Sequence, residues 1–332
     1  MPWPRDENGF PNRPAEGASP AEWKAYASEL EAIATAGERR ANFLHERLNE
    51  LVSSPAFRLA RSAKNLIGKR SGRLPAASPA VPNVSGEPLV SVLIPFRDGS
   101  KYLSKCLETF STTTQYKNVE FILIDNGSRE HATHKLLDRA KSQPHTQILK
   151  IDEPFNFSRL NNQAAARASG EFLLLLNNDI EIIHPRWLGA MLEQAQSPQV
   201  GVVGARLLYP DGRIQHAGVS VRLDDIAGHE RHLKPGSDAV ACETREVDAV
   251  TGACLLTRRA LYQELGGLNE THLPIAYNDV DYCLRVRERG MKVILAGDAC
   301  LVHHESVSRG AINAPEQAAY MVRRWGAELS KK

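Results

Sequence analysis

Apolar positions near the start of the chain recur at the spacing of a helix. Trp23, Tyr26, Leu30 and Ile33, then Phe43, Leu44, Leu48 and Leu51, fall on one stripe. Ser19, Pro20 and Glu22 precede them as a capping serine, a first-turn proline and a glutamate placed to return a capping hydrogen bond. A helix from there to about Leu51 is expected, its stripe packed against another helix or across a homodimer. Past residue 88 the period changes. Leu89 to Pro95, Val119 to Asp125, Thr146 to Lys150 and Phe172 to Leu176 are short apolar runs that read as buried strands, each followed by a helical stretch. The alternation predicts an α/β fold, a parallel sheet covered by helices. From about Val200, shorter strands and turns such as Pro210-Asp211-Gly212 are expected to complete the sheet.

Composition divides the chain further. Residues 1–20, rich in proline, glycine and charge, read as a flexible arm, and 21–73 as a helical extension. Within the extension, Arg58, Arg61, Lys64, Lys69, Arg70 and Arg73 interleave with Phe57, Leu59, Leu66 and Ile67 with no acidic residue. Such a basic amphipathic segment lies on an anionic membrane surface or docks on its own catalytic domain, and the pattern suits both. Prolines at 75, 79, 82 and 88 mark a linker over 74–88, leaving 89–332 as the main domain.

Basic residues number 41 and acidic 39, a formal net charge of +2, which argues against nucleic acid as partner. Five scattered cysteines without a CxxC pair argue against a disulfide framework or zinc ribbon. The first ten residues lack the apolar core of a secretory signal, and the densest apolar run is too short to span a bilayer. A cytoplasmic protein, peripheral on the inner face of the membrane if 57–73 attaches it, is the expectation.

Polar residues gather where the predicted strands end, the place at which ligands bind to sheets of this kind. Neither GxGxxG nor GxxxxGK[ST] is present, so the nucleotide grip must differ from the dinucleotide fold and the P-loop. Pro95, Phe96, Arg97 and Asp98 offer a ring, a cation and a carboxylate. Asp125-Asn126-Gly127-Ser128 supplies a carboxylate in a turn, although such a run also serves simply to cap a helix. Asn177-Asn178-Asp179 follows the Leu173 to Leu176 strand, where asparagines could merely stop the strand or Asp179 could bind a hard divalent cation. Asn278-Asp279-Val280-Asp281 opens a helix, where aspartates also act as caps. His303-His304-Glu305-Ser306 follows the apolar stretch Ala299 to Val302 and is suited to ligand binding.

In that order, these five clusters resemble glycosyltransferase family 2. Phe155-Asn156-Phe157-Ser158 leading to Asn162, the run Asp211 to Gly218, and Thr251-Gly252-Ala253 look like its bacterial rhamnosyltransferase-like members. The resemblance spans roughly residues 89–310. It implies a GT-A fold, a Rossmann-like mixed sheet flanked by helices, and an inverting transfer of a sugar from a UDP- or dTDP-linked donor. The implied acceptor is a hydroxyl of a bacterial surface glycan, free or lipid-linked. On this resemblance Pro95, Phe96, Arg97, Asp98, Asp125, Asn162, Asn177 and Asn178 lie on the donor side, and Thr251, Gly252 and Asp281 on the acceptor side. Asp279 matches the catalytic base, while Asp179 and His303 match ligands of Mg2+ or Mn2+. The chain departs from the family pattern twice: Asn177 stands where the metal motif has its first carboxylate, and Asn278 where a glutamate usually precedes the base. A non-catalytic glycan-assembly scaffold is the rival reading. A sugar-nucleotide pyrophosphorylase would need a glycine-rich cationic loop that Phe96 to Gly99 does not provide.

Overall fold

The computed structural model describes residues 86–222, 227–304 and 314–329, all within the compact unit Ala77–Lys332. The arm, the helical extension, the basic segment, the linker up to residue 85, and Glu305 and Ser306 lie outside the described residues. The first half alternates as expected: β1 (Val90–Phe96), α1 (Ser100–Thr113), β2 (Val119–Asp125), α2 (His131–Lys141), β3 (Thr146–Lys150), α3 (Phe157–Ala165) and β4 (Phe172–Leu176). Then come β5 (Ile180–Ile182), α4 (Trp187–Ala195), β6 (Val200–Leu208), β7 (Ile214–His216), β8 (Val219–Ser220), β9 (Gly228–His229), α5 (Ala239–Cys242) and β10 (Arg245–Glu246). The last described elements are β11 (Cys254–Arg258), α6 (Arg259–Glu264), α7 (Asn278–Glu288), β12 (Lys292–His303) and α8 (Pro315–Leu329).

The strands form one sheet in the order β10-β12-β6-β11-β4-β1-β2-β3, with β5 added to β12 and β7 to β6. Strands β1 to β4 are mutually parallel where they pair, but β11 runs antiparallel between β4 and β6. The sheet is therefore mixed rather than parallel, and the reversal matters for function. An antiparallel neighbour delivers its beginning to the edge where β4 ends, with Cys254 opposite Leu176. Because β6 and β12 run parallel to each other, the ends of β1, β2, β4, β6 and β12 and the start of β11 share one edge.

Alternation along the strands splits the core into two layers. Val90, Val92, Ile94 and Phe96 of β1 join Phe172, Leu174 and Leu176 of β4 under α1 and α4, where Phe110 meets Trp187 edge-on at 5.7 Å between ring centroids. Leu93, Leu173 and Leu175 face the other way, toward α3, α7 and α8. One polar network is buried in the sheet. Glu120 on β2 accepts from Ser91 Oγ at 2.6 Å, from Ser169 N at 2.7 Å and from Ser169 Oγ at 2.9 Å, which fixes the approach to β4. Burial works to raise the Glu120 pKa, but these hydrogen bonds together with that from Gly170 N outweigh it and hold the carboxyl below its ordinary range.

The helix α8 buries Met321, Trp325 and Leu329 against the second layer. The Trp325 indole N–H donates to Asp281 Oδ1 at 3.1 Å, and Gln317 Oε1 accepts from the backbone N–H groups of Ile275 and Ala276 at 3.0 and 2.9 Å. The segment leading into α7 is thus clamped from outside.

Two stability predictions follow from these contacts. Trp325→Ala removes a fully buried ring and leaves Asp281 short of a donor, so a loss of about 3–5 kcal/mol is expected in urea denaturation; a loss within experimental error would mean that α8 is not part of the cooperative unit. Glu120 has a depressed folded pKa, so its contribution is present above the ordinary glutamate value of 4.5 and disappears as pH falls through the lower folded value. Glu120→Gln should be less stable than the parent at about pH 7, with the gap narrowing on acidification below about pH 4. A gap of constant size across that range would contradict the network's role.

Candidate active site

The shared edge of the sheet brings most of the expected residues together. At the end of β1, Pro95 and Phe96 are buried, and the exposed Arg97 leads into Asp98, which adopts a left-handed φ of 52°. Gly99 follows with φ 67° and starts α1, a second left-handed residue that glycine adopts without a Cβ clash. Asp98 was expected to face the donor. Instead Oδ1 accepts from the backbone N–H of Arg129 and of Glu130, both at 2.7 Å, while its own N–H donates to Ser128 Oγ at 2.8 Å. These bonds lace the loops after β1 and β2 together, so Asp98 braces this part of the sheet edge from within. Asp125 is buried at the end of β2 and accepts from Ser128 N at 2.9 Å, which closes the turn.

The end of β4 holds a compact polar cluster. Asp179 Oδ1 lies 3.1 Å from His303 Nε2, and Asn177 Nδ2 lies 3.2 Å from the same nitrogen. The opposite ring nitrogen, Nδ1, is 2.6 Å from Gln215 Oε1 on β7. Asp179, His303 and Gln215 are all buried. Pairing of β5 with β12 creates the cluster, setting His303 opposite Ile180, and His304 N donates to Asp179 O at 3.0 Å. Next to it Glu181 accepts from His304 and lies near Lys105; burial works to raise its pKa, but these partners outweigh it and lower it. Asn178 is half-buried beside Gly99.

Two ligands of suitable chemistry for a divalent ion face each other here, a carboxylate oxygen and an imidazole nitrogen. The hydrogen-bond chemistry supports this fit. If Nδ1 donates to Gln215, Nε2 carries a lone pair, and a second acceptor at 3.1 Å is an arrangement that a cation relieves. Among the described residues no group of three His, Cys, Asp or Glu side chains is placed to hold an ion. Cys106 is no candidate, because burial, aided by the Asp179 charge, pushes its thiol up to about 12.

On the other side, α7 begins at Tyr277, held at a left-handed φ of 59°, and presents a half-buried Asp279. Asp279 Oδ2 accepts from Gly252 N at 2.7 Å and Oδ1 from Val280 N at 2.8 Å. A Cβ on Gly252 would sit 3.5 Å from the Asp279 Cβ, so the loop and the carboxylate are in van der Waals contact. The loop 251–253 touches three groups of the site. Thr251 N donates to His216 Nε2 at 3.4 Å, Gly252 holds Asp279, and Ala253 O accepts from Asn177 N at 3.0 Å. His216 is held well below the ordinary histidine pKa, first by burial and then by His229, His303 and Arg245, so it stays a neutral acceptor.

Two expected site residues, Asn162 and Asp281, are engaged elsewhere. Asn162 donates to Leu268 O and Glu270 Oε2 at 2.9 and 3.0 Å and accepts from Tyr262 and from Leu268 N, so both ends of its amide anchor the 262–270 segment rather than a donor. Asp281, expected on the acceptor side, is buried against Trp325 and ion-paired to Arg285 Nε at 2.8 Å, on the packed face of α7. Asn278 is buried and donates to Leu273 O at 3.4 Å. Conversely, Gln215 and His216 lie at the site although no role had been attached to them. Their signal in the sequence was the Asp211 to Gly218 run, whose turn sets which side chain of β7 faces inward.

Comparison with known proteins agrees with this geometry. The profile described as Glycosyl transferase family 2 matches residues 91–266. The y4gI protein of Sinorhizobium fredii is 42% identical over 279 residues, covering 80% of this chain and 31% of that protein. The O-antigen biosynthesis protein RfbC of Myxococcus xanthus is 39% identical over 238 residues, covering 70% and 18%. The chain thus spans less than a third of the length of these two relatives. An N-acetylglucosaminyl-diphospho-decaprenol L-rhamnosyltransferase of Mycobacterium tuberculosis is 24% identical over 66% of this chain and 77% of its own. Among solved structures, GalNAc-T7 with UDP, GalNAc and Mn2+ superposes with a TM-score of 0.62 at 15% identity, over 74% of this chain and 49% of that one. A mannosyltransferase of Pyrobaculum calidifontis in complex with GDP-Man and Mn2+ gives 0.52 at 17% identity, over 79% and 66%. With its mixed sheet, its strand-end carboxylates and a profile match over more than half its length, the chain belongs to glycosyltransferase family 2 and has the GT-A fold.

Proposed function

We propose that the chain is an inverting, metal-dependent glycosyltransferase that moves a sugar from a nucleoside diphosphate to a hydroxyl of a bacterial surface glycan. The observation that carries this reading is the 251–253 loop, which joins the Asp279 carboxylate to the Asp179, Asn177 and His303 cluster across one sheet edge. The loop between β1 and α1, together with Asp125, forms the donor wall, with Asp98 as its internal brace. Asp179 and His303 would hold Mg2+ or Mn2+. Such an ion, when bound, neutralises charge on the departing diphosphate.

In the reaction Asp279 takes the proton of the acceptor hydroxyl as that oxygen bonds to the anomeric carbon. The bond from that carbon to the diphosphate oxygen breaks on the opposite side, so the configuration inverts and the electron pair leaves with the nucleoside diphosphate. The N–H groups of Gly252 and Val280 each take one Asp279 oxygen and fix the carboxylate's orientation. Asn177 replaces a carboxylate at the metal end, and its amide turns toward His303 Nε2. The O-antigen name of RfbC and the rhamnosyl transfer named for the mycobacterial relative favour a glycan acceptor and a deoxyhexose donor. UDP, dTDP and GDP sugars are the donors to screen. The described residues contain no helix long and apolar enough to cross a membrane, which is compatible with a donor reaction at the inner membrane face.

The test is transfer from labelled nucleotide sugars to a lipid-linked glycan acceptor. Asp279→Asn should keep nucleotide binding and lose transfer by about a hundredfold or more, the usual weight of a general base. Asp179→Ala and His303→Ala should each raise the metal concentration required for half-maximal rate. Turnover by Asp279→Asn at the parent rate, or full activity in excess chelator, would sink the mechanism. Nucleotide binding without turnover on any donor would favour the scaffold reading, consistent with Asn177 and Asn278 standing where the family has carboxylates.

A further inference from the structure

The Asp211 to Gly218 run has a geometric purpose beyond closing a hairpin. Tyr209 N donates to Arg213 O at 2.8 Å and Gly212 N to Tyr209 O at 2.9 Å, with Gly212 at φ 84°. Asp211 holds the turn further, accepting from Arg213 N at 3.0 Å and Arg213 Nε at 2.7 Å. This turn sets the register of β7 on β6, with His216 opposite Leu207 and Ile214 opposite Leu208. Gln215 is the extra residue of this pairing, between Ile214 and His216, so a slip of one residue would put one of those two in its place. In the observed register Gln215 meets His303, and His216 meets the backbone of Thr251.

We propose that Gln215 is a positioning residue that holds His303 as the Nδ1–H tautomer, so that the Nε2 lone pair faces Asp179 and binds the divalent ion. The inference rests on the metal-dependent reading above. Two neighbours favour this tautomer: the Gln215 carbonyl, 2.6 Å from Nδ1, accepts a hydrogen there, and the Asn177 amide, 3.2 Å from Nε2, offers one to a lone pair on that nitrogen. Asp179 Oδ1, 3.1 Å from the same Nε2, would take a hydrogen from it, and a cation between the two removes that competition. Gln215 and His303 are 5% and 7% exposed, so water does not compete for either contact. A histidine ligand whose second nitrogen is fixed this way is oriented before the ion arrives, and loss of such a partner typically weakens metal binding about 10- to 100-fold. Asn177 then has a use in this chain: where a carboxylate would add negative charge, its amide supports the same tautomer until an ion displaces it.

The experiment measures Mn2+ binding to the full chain by electron paramagnetic resonance, with Mn2+ alone and with UDP, dTDP or GDP added. The set is the wild type, His303→Ala, Gln215→Met and Gln215→Glu. Methionine keeps the volume without the accepting oxygen, and glutamate keeps an acceptor for Nδ1–H. Gln215→Met should bind Mn2+ at least about tenfold more weakly than wild type, and Gln215→Glu should bind within a fewfold of it. Binding by Gln215→Met at the wild-type level, with His303→Ala impaired, would overturn the role of Gln215 and leave the metal site standing. No Mn2+ binding by the wild type under any condition would overturn the metal reading and this inference together. Should Gln215→Met fail to fold, nitrogen-15 NMR of the wild-type imidazoles with Mg2+ and a nucleoside diphosphate bound decides the point: an Nδ1–H signature for His303 is expected, and an Nε2–H signature overturns the proposal.

Discussion

Three residues of backbone pairing, β5 against the end of β12, hold the site together. Leu301, Val302 and His303 lie opposite Ile182, Glu181 and Ile180, and the N–H of His304 closes on Asp179 O. To reach that position β12 must run twelve residues, pairing with β6 and then shifting register between Ala296 and Cys300 before it meets β5. After the shift Cys300, Leu301 and Val302 pair with β6 again, while Leu301 to His303 also hold β5. Without the β5 pairing, Asp179 and His303 would stand at the ends of strands separated in the sheet by β6 and β11. Both groups are buried, so their contact takes place where opposing charge and lone pairs act with little screening.

The antiparallel insertion of β11 supplies the other half. Its start lies at the exit of β4, and the preceding loop reaches Asp279 on α7, a helix braced in turn by α8 through Trp325 and Gln317. Each site group is thus held by an element whose opposite face is packed in the core. Close approach is demanded elsewhere too. A Cβ at Gly204 on β6 would clash with the Val250 side chain, so the chain entering the 251–253 loop passes directly over the strand.

Much of this was legible in the sequence. The strands β2, β3 and β4 keep the limits read from the pattern and β1 is displaced by one residue, because apolar runs bounded by polar turns, such as the fully buried β1 and β4, carry little ambiguity. Asp125, Asp179, Asp279 and His303 were recognisable because each closes or opens such an element. Asp98, Asn162 and Asp281 were less readable. Each sits in a motif-like setting, yet its partners lie 31, 106 and 44 residues away, at Arg129, Leu268 and Trp325. Local pattern cannot say whether a carboxylate or amide will face a ligand or satisfy a distant backbone group. Gln215 is the reverse case, an uncharged side chain of no intrinsic chemical interest that gains importance from the strand register around it. The mixed character of the sheet escaped the periodicity for a related reason: an apolar run such as Cys254 to Thr257 looks the same in either direction.

The metal-dependent reading requires an ion seated between β4 and β12. Anomalous diffraction from crystals grown with Mn2+ and a nucleoside diphosphate locates such an ion without reference to activity. A peak within bonding distance, roughly 2.0–2.3 Å, of both an Asp179 oxygen and His303 Nε2 is expected, with phosphate oxygens completing its shell. A bound diphosphate with Mn2+ on other residues, or with Asp179 and His303 still bonded only to each other, would contradict the assignment.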